Sequence, residues 1–155
     1  MTEPAPKVGE RLTTGLLFRR VPNTDLQWDY KGGGPTKLAF RPDKGEDGIS
    51  TFLTHLTTEK EVLLGHPGYG LCTIDIPRFL EEIERLKADP KIRFREDVAI
   101  TYTPSHEDGP AHCYIAPVPG LIQKALRRVA VAKEPPSTAV EGKTSAQDAG
   151  EDIRL

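Results

Sequence analysis

Two histidines, a serine and a pair of adjacent arginines are the side chains whose types and placement invite chemistry in this sequence. His112 lies in Ala111-His112-Cys113-Tyr114-Ile115-Ala116, where strand alternation puts His112 and Tyr114 on one side and Cys113 and Ile115 on the other. An imidazole lining a wet cleft can act as acid, base or hydrogen-bond donor. His66 sits in Gly65-His66-Pro67-Gly68-Tyr69-Gly70, whose glycines lack the Cβ that would keep backbone away from a ligand. The same residues also suit a helix stop followed by a turn. Arg19 and Arg20 interrupt the apolar run Leu16-Leu17-Phe18-Arg19-Arg20-Val21, and neighbouring strand residues face opposite sides. At least one guanidinium is therefore expected to point into covered protein, where it needs a carboxylate, several carbonyls or an anionic ligand. Asp47, Asp75 and Glu96 are the structural carboxylate partners the sequence puts forward. Without one, the planar fork of Arg19 would clamp a phosphate or carboxylate. Arg19, Ser50, His66 and His112 are thus the candidate ligand-binding residues, and His112 is the candidate catalytic one.

Other patterns point away from specialised chemistry. Gly32-Gly33-Gly34 lacks the Lys-Ser/Thr of a phosphate-binding loop and reads as a turn. Ser105-His106-Glu107-Asp108 and His112-Cys113 crowd imidazoles, carboxylates and a thiol together, but they straddle a turn, and Cys113 should face away from His112. Neither a metal nor a cofactor is expected. Cys72 and Cys113 form no CxxC pair and are expected as buried, reduced thiols.

The elements that must position these residues follow from periodicity and punctuation. Leu16 to Val21 reads as a strand covered on both faces and closed by Pro22. Thr36 to Arg41 reads as a second short strand and Ile49 to Leu53 as a third. Thr58-Glu59-Lys60-Glu61 is a capping-box pattern opening a short helix that stops at Gly65. Gly70 to Ile76 alternates as a strand, and Pro77 then opens a helix with Phe79, Leu80, Ile83 and Leu86 on its apolar side. Val98 to Thr103 and Ala111 to Ala116 are strands, and Gly120 to Ala132 reads as a closing helix. Lys124, Arg127 and Arg128 on that helix suit its C-terminal dipole. The expectation is one small α+β domain over residues 15–131, with a mainly antiparallel or mixed sheet and about three short helices. Residues 1–14 are expected to be a mobile lead-in and residues 132–155 a disordered acidic tail, because too little apolar surface is present there to offset ordering. Ile153 and Leu155 would be the docking residues if the tail engages a partner.

A chain of 155 residues fits one core. No apolar run reaches the roughly 18–20 residues of a membrane helix. Met-Thr-Glu-Pro-Ala-Pro lacks the basic start and apolar stretch of a signal peptide, so a cytoplasmic protein is expected. Lys+Arg is 21 and Asp+Glu is 23, for a net charge of −2. Glu134, Glu141, Asp148, Glu151 and Asp152 against Lys143 and Arg154 give the tail −3, leaving +1 for the rest. That near-neutral balance does not favour nucleic acid as a partner.

Phe18-Arg19-Arg20-Val21-Pro22, Ala39-Phe40-Arg41-Pro42, Asp47-Gly48-Ile49-Ser50 and Ala111-His112-Cys113-Tyr114-Ile115 together resemble a loose group of short bacterial open reading frames. Its members share an aromatic-Arg-Arg start, a Gly-Leu/Ile-Ser step and a late His-x-x-Ile strand. The resemblance implies a prokaryotic source and no particular reaction. An arginine on the first strand with a serine on a later one also resembles ADP-ribosyltransferase-like folds, whose late catalytic glutamate has no counterpart on either late strand here. The leading expectation is a non-catalytic binding domain whose polar cleft takes an anionic or nucleotide-like small molecule or a protein partner. One alternative is an enzyme acting on phosphoesters or nucleotides with His112 as general acid/base. Another is an assembly component docking through its C-terminal tail.

Overall fold

Alternating apolar residues build the strands of a six-stranded sheet, and a computed structural model of the chain describes residues 4–137. The strands are β1 (Leu16–Val21), β4 (Ile49–Leu53), β5 (Gly70–Asp75), β6 (Ala99–Tyr102), β7 (His112–Ala116) and β8 (Val131–Glu134). They run in the order β6-β7-β4-β1-β5-β8, with every pairing antiparallel. A two-stranded ribbon of β2 (Trp28–Asp29) and β3 (Gly34–Pro35) stands beside it. The helices are α1 (Glu59–Leu63), α2 (Ile76–Ala88) and α3 (Gly120–Val129). The fold is a small α+β domain.

Each face of the sheet buries its own apolar set. Leu17, Val21, Ile49, Leu53, Cys72, Ile74, Ile100, Cys113 and Ile115 meet Phe79 and Ile83 of α2 and Ile122, Leu126 and Val129 of α3 in the main core. On the opposite face Phe18, Phe52, Leu71 and Ala111 pack with Val62 of α1 in a smaller cluster. Thr58 caps α1 as its capping-box pattern predicts, and Asp75, which the sequence offers only as a strand residue and a partner for Arg19, caps α2. The Thr58 hydroxyl accepts from Glu61 N at 3.1 Å, and the Asp75 carboxylate accepts from Arg78 N at 3.3 Å.

Several expected boundaries shift, each for a physical reason. Lys37–Phe40 forms a turn of 3-10 helix rather than a strand, burying Ala39 and Phe40 against the main core. Propensity for extended structure loses there to burial of a phenyl ring. Residues 9–12 are not a loose lead-in: Gly9 and Leu12 donate their N–H groups to Tyr102 and Ile100, and Leu12 is buried. Those amides line the otherwise open edge of β6. The last helix ends at Val129 instead of Ala132, and the chain turns into β8, which pairs with β5 out to Glu134. The folded body therefore runs past the boundary placed at 131. Of the tail, residues 138–155, with Ile153 and Leu155, lie outside the described residues. No helix among the described residues is long and apolar enough to cross a membrane.

Cys72 and Cys113 are free and buried, and burial pushes each thiol up from about 9 to about 12. The folded state thus holds the protonated form more firmly than the unfolded chain does. That contribution to stability is complete below the unfolded value of about 9 and is lost as pH rises toward about 12. Urea titrations at rising alkaline pH should show stability falling across this window. The fall should be shallower in a Cys72→Ala/Cys113→Ala variant; identical slopes would show that the thiols contribute nothing.

Candidate functional site

The cleft begins where β1 and β4 part. Their registered pairs are Leu17 with Leu53 and Phe18 with Phe52, and no further pair is registered. Alternation turns Arg19, which lies opposite Cys72 of β5, to the main-core face. Its fork fills the gap: Nη1 donates to the Ser50 carbonyl at 2.9 Å, while Nε and Nη2 donate to the Ala39 carbonyl at 3.2 and 3.0 Å. Two carbonyls, not a carboxylate, hold this charge. Asp75 caps α2, the Asp47 carboxylate takes the Tyr114 hydroxyl at 3.3 Å, and Glu96 lies exposed, so none of the three expected partners meets it. Burial lowers the Arg19 pKa, and Asp43 opposes that at longer range. The charge stays, stabilised by dipoles but not neutralised.

Arg20 faces the other way, opposite Leu71. Its guanidinium lies 4.7 Å from the centre of the Phe52 ring, and Nη1 donates to the Val62 carbonyl at 2.9 Å. Among the described residues no carboxylate pairs with it and no other bond engages its fork. A cavity of about 240 Å³ is lined by Arg19, Arg20, Arg41, Ser50, His66 and Tyr69, together with Gln27, Gly48 and the carboxylates of Asp43 and Glu46. Three guanidinium groups against two carboxylates leave it positive. Arg20 and His66 also border a second cavity of about 570 Å³, with Phe52, Val62 and Leu64 on its walls and Glu61, Glu107 and Asp108 beside them.

His66 is half-buried, its ring edge-to-face with Tyr69 at 5.0 Å. Desolvation first, and then the Arg20 charge, hold its pKa below the ordinary histidine value. The glycines around it serve the chain itself. Gly65 and Gly68 take positive φ of 81° and 84°, and a Cβ at Gly70 would meet the Glu134 carbonyl at 2.5 Å. The close approach is made by the chain leaving β8, not by the cleft.

Behind Ser50 stands His112. Its Nε2 lies 2.9 Å from Ser50 Oγ, and its Nδ1 lies 3.0 Å from the Thr103 carbonyl and 2.9 Å from Thr103 Oγ1. Only 6% of His112 is exposed, and the Phe52 ring meets it edge-on at 5.6 Å. The four residues singled out in the sequence are therefore brought near one another in unequal roles. Arg19, Ser50 and His66 line the smaller cavity, whereas His112 reaches it only through the Ser50 hydroxyl.

Arg20, Arg41 and Tyr69 also line the cavity and lie outside the ligand-binding set read from the sequence. Alternation in β1 already separates Arg20 from Arg19, but only the packing shows which of the two forks is taken up by protein carbonyls. The glycine run 32–34 lines a separate cavity, where the Asp29 carboxylate accepts from the Lys31 and Gly32 amides at 3.1 and 3.0 Å. Amides occupied in this way cannot cradle a phosphate. Among the described residues no three His, Cys, Asp or Glu side chains are grouped to hold a metal.

Replacing Arg19 tests its bridging role. Arg19→Leu strands the Ala39 and Ser50 carbonyls and should cost about 2–4 kcal/mol in urea denaturation, on the scale of two unpaired buried acceptors. Arg19→Lys keeps the charge but lacks the fork, so it should recover less than half of that loss. A lysine variant as stable as the native chain would contradict the bridging account.

Compared with known proteins, the chain matches no family model, no curated protein and no solved structure.

Proposed function

We propose that this chain is a small cytoplasmic binding protein whose arginine-lined cleft takes an anionic, nucleotide-like ligand. The observation carrying the reading is Arg20. It is a permanent cation, stacked on Phe52 and bonded to one carbonyl, with the rest of its fork unengaged among the described residues. A guanidinium in that state gains from a planar or tetrahedral anion that accepts two parallel N–H bonds. Arg19 adds charge from the cavity wall, Arg41 adds an exposed cation, and His66 can donate once an anion favours its protonated form. The second cavity, which shares Arg20 and His66 with the first, offers the apolar side chains of Phe52 and Val62 to the rest of such a ligand.

A second reading is an enzyme acting on a phosphoester or nucleotide, with His112 as general acid/base. It is supported by the 2.9 Å contact between His112 Nε2 and Ser50 Oγ, through which a proton can pass between cleft and buried ring.

Thermal unfolding with inorganic pyrophosphate or ADP tests the binding reading. Ligand at about 100 times its dissociation constant should add about 2.7 kcal/mol to stability. Arg20→Gln should lose most of this gain while remaining folded, since among the described residues one hydrogen bond and the stacking on Phe52 tie the guanidinium to the protein. An equal shift for ADP and pyrophosphate would place recognition in the phosphates, and a larger one for ADP would add the second cavity. Unchanged melting of the native chain with both ligands, or an undiminished shift in Arg20→Gln, would refute the reading.

A further inference from the structure

We infer that Ser50 is a nucleophile activated by His112, and that the cleft hydrolyses a carboxylic ester carrying an anionic group; this rests on the anion-binding reading only for the choice of substrate.

The tautomer comes first. The Thr103 carbonyl can only accept a hydrogen bond, so the neutral His112 ring carries its proton on Nδ1. Nε2 is then the lone-pair nitrogen, and at 2.9 Å it accepts the Ser50 hydroxyl proton. That is the arrangement a serine needs in order to lose its proton as it attacks. The ring cannot swing away, because Phe52 closes on its edge and Thr103 fixes its far nitrogen from two atoms. Ser50 is held as firmly from its backbone side: it sits on β4, its carbonyl engaged by Arg19. Rigid strands therefore fix both partners, which is what reactive geometry demands.

Exposure separates the two roles. Ser50 lines the cavity beside Arg20, whereas His112 is buried behind it. Of the pair, only Ser50 is therefore placed to meet a substrate in this cavity. Arg20, with its open fork on the same wall, can hold the anionic group or the oxygen that gains charge during attack. The Nδ1 side offers a carbonyl and a hydroxyl where the familiar triad has a carboxylate. The imidazolium is accordingly supported by dipoles alone, which suits a slow hydrolase.

In the reaction Ser50 Oγ bonds to the acyl carbon as its proton passes to His112 Nε2. The carbon–oxygen bond to the leaving group breaks, and His112 returns the proton to the departing alkoxide. Water then attacks the acyl-serine, giving its proton to His112, and the carboxylic acid leaves as Ser50 recovers its proton from Nε2. Nothing is oxidised or reduced.

A fluorophosphonate tests this on the full native chain: the P–F bond breaks, an Oγ–P bond forms, and the adduct is located by peptide mass spectrometry. The expected result is one adduct on Ser50, formed at least 100-fold more slowly in His112→Gln, the scale of a general base. An excess of inorganic pyrophosphate should slow labelling of the native chain at least tenfold. If His112→Gln does not fold, the site of labelling in the native chain decides by itself. No adduct on Ser50, or labelling spread over several surface hydroxyls, overturns the proposal. So does an unchanged rate in a folded His112→Gln. Absence of the adduct alongside an intact thermal shift with pyrophosphate would remove the nucleophile and leave the anion site standing.

Discussion

A guanidinium placed where a strand pairing stops is the interaction on which the rest of this molecule depends. β1 and β4 are registered at Leu17–Leu53 and Phe18–Phe52, and the Ser50 carbonyl beyond them bonds instead to Arg19. The same fork reaches the Ala39 carbonyl in the 3-10 turn, tying β1, β4 and the Lys37–Phe40 segment together. A neutral side chain would leave two acceptors unpaired, and a lysine would reach them only as a point charge. Because no carboxylate among the described residues bonds to this fork, its positive charge lies unpaired at the wall of a cavity, with Asp43 acting on it only through space.

The two faces of the sheet divide the remaining work. The face under α2 and α3 carries the main core, and Arg19 belongs to it by alternation. The opposite face carries Phe18, Arg20, Ser50, Phe52 and His112, covered in part by α1. The gap between β1 and β4 lets both faces contribute to one cavity. Arg19 enters from the core side, while Ser50 and Arg20 enter from the side of the smaller cluster. Phe52 serves three neighbours at once: it fills the small cluster, lies under the Arg20 guanidinium and edges the His112 ring.

Much of this architecture is legible in the sequence where local chemistry decides. Thr58 caps α1, Pro77 sits in the first turn of α2, and the alternation of His112 and Tyr114 against Cys113 and Ile115 matches their placement on opposite faces. The opposed directions of Arg19 and Arg20 follow from the same rule. Illegible features are those decided by distant partners. The strand reading of residues 36–41 fails because Phe40 finds the core through a tight turn. β8 is invisible because Val131–Glu134 is exposed and gains its order from the free edge of β5. The sequence leaves a carboxylate, several carbonyls and an anionic ligand open as partners of Arg19, since nothing local shows that two backbone carbonyls are left free by a splayed strand pair. The link between Ser50 and His112 spans 62 positions, and no spacing in the chain announces it.

Anomalous scattering from crystals grown with tungstate, an oxyanion of phosphate-like shape, tests the central claim most directly. The account predicts one dominant peak within hydrogen-bonding reach of the Arg20 fork, with Arg19 still bonded to the Ala39 and Ser50 carbonyls. A dominant peak elsewhere, or an Arg19 side chain paired with a carboxylate, would contradict it.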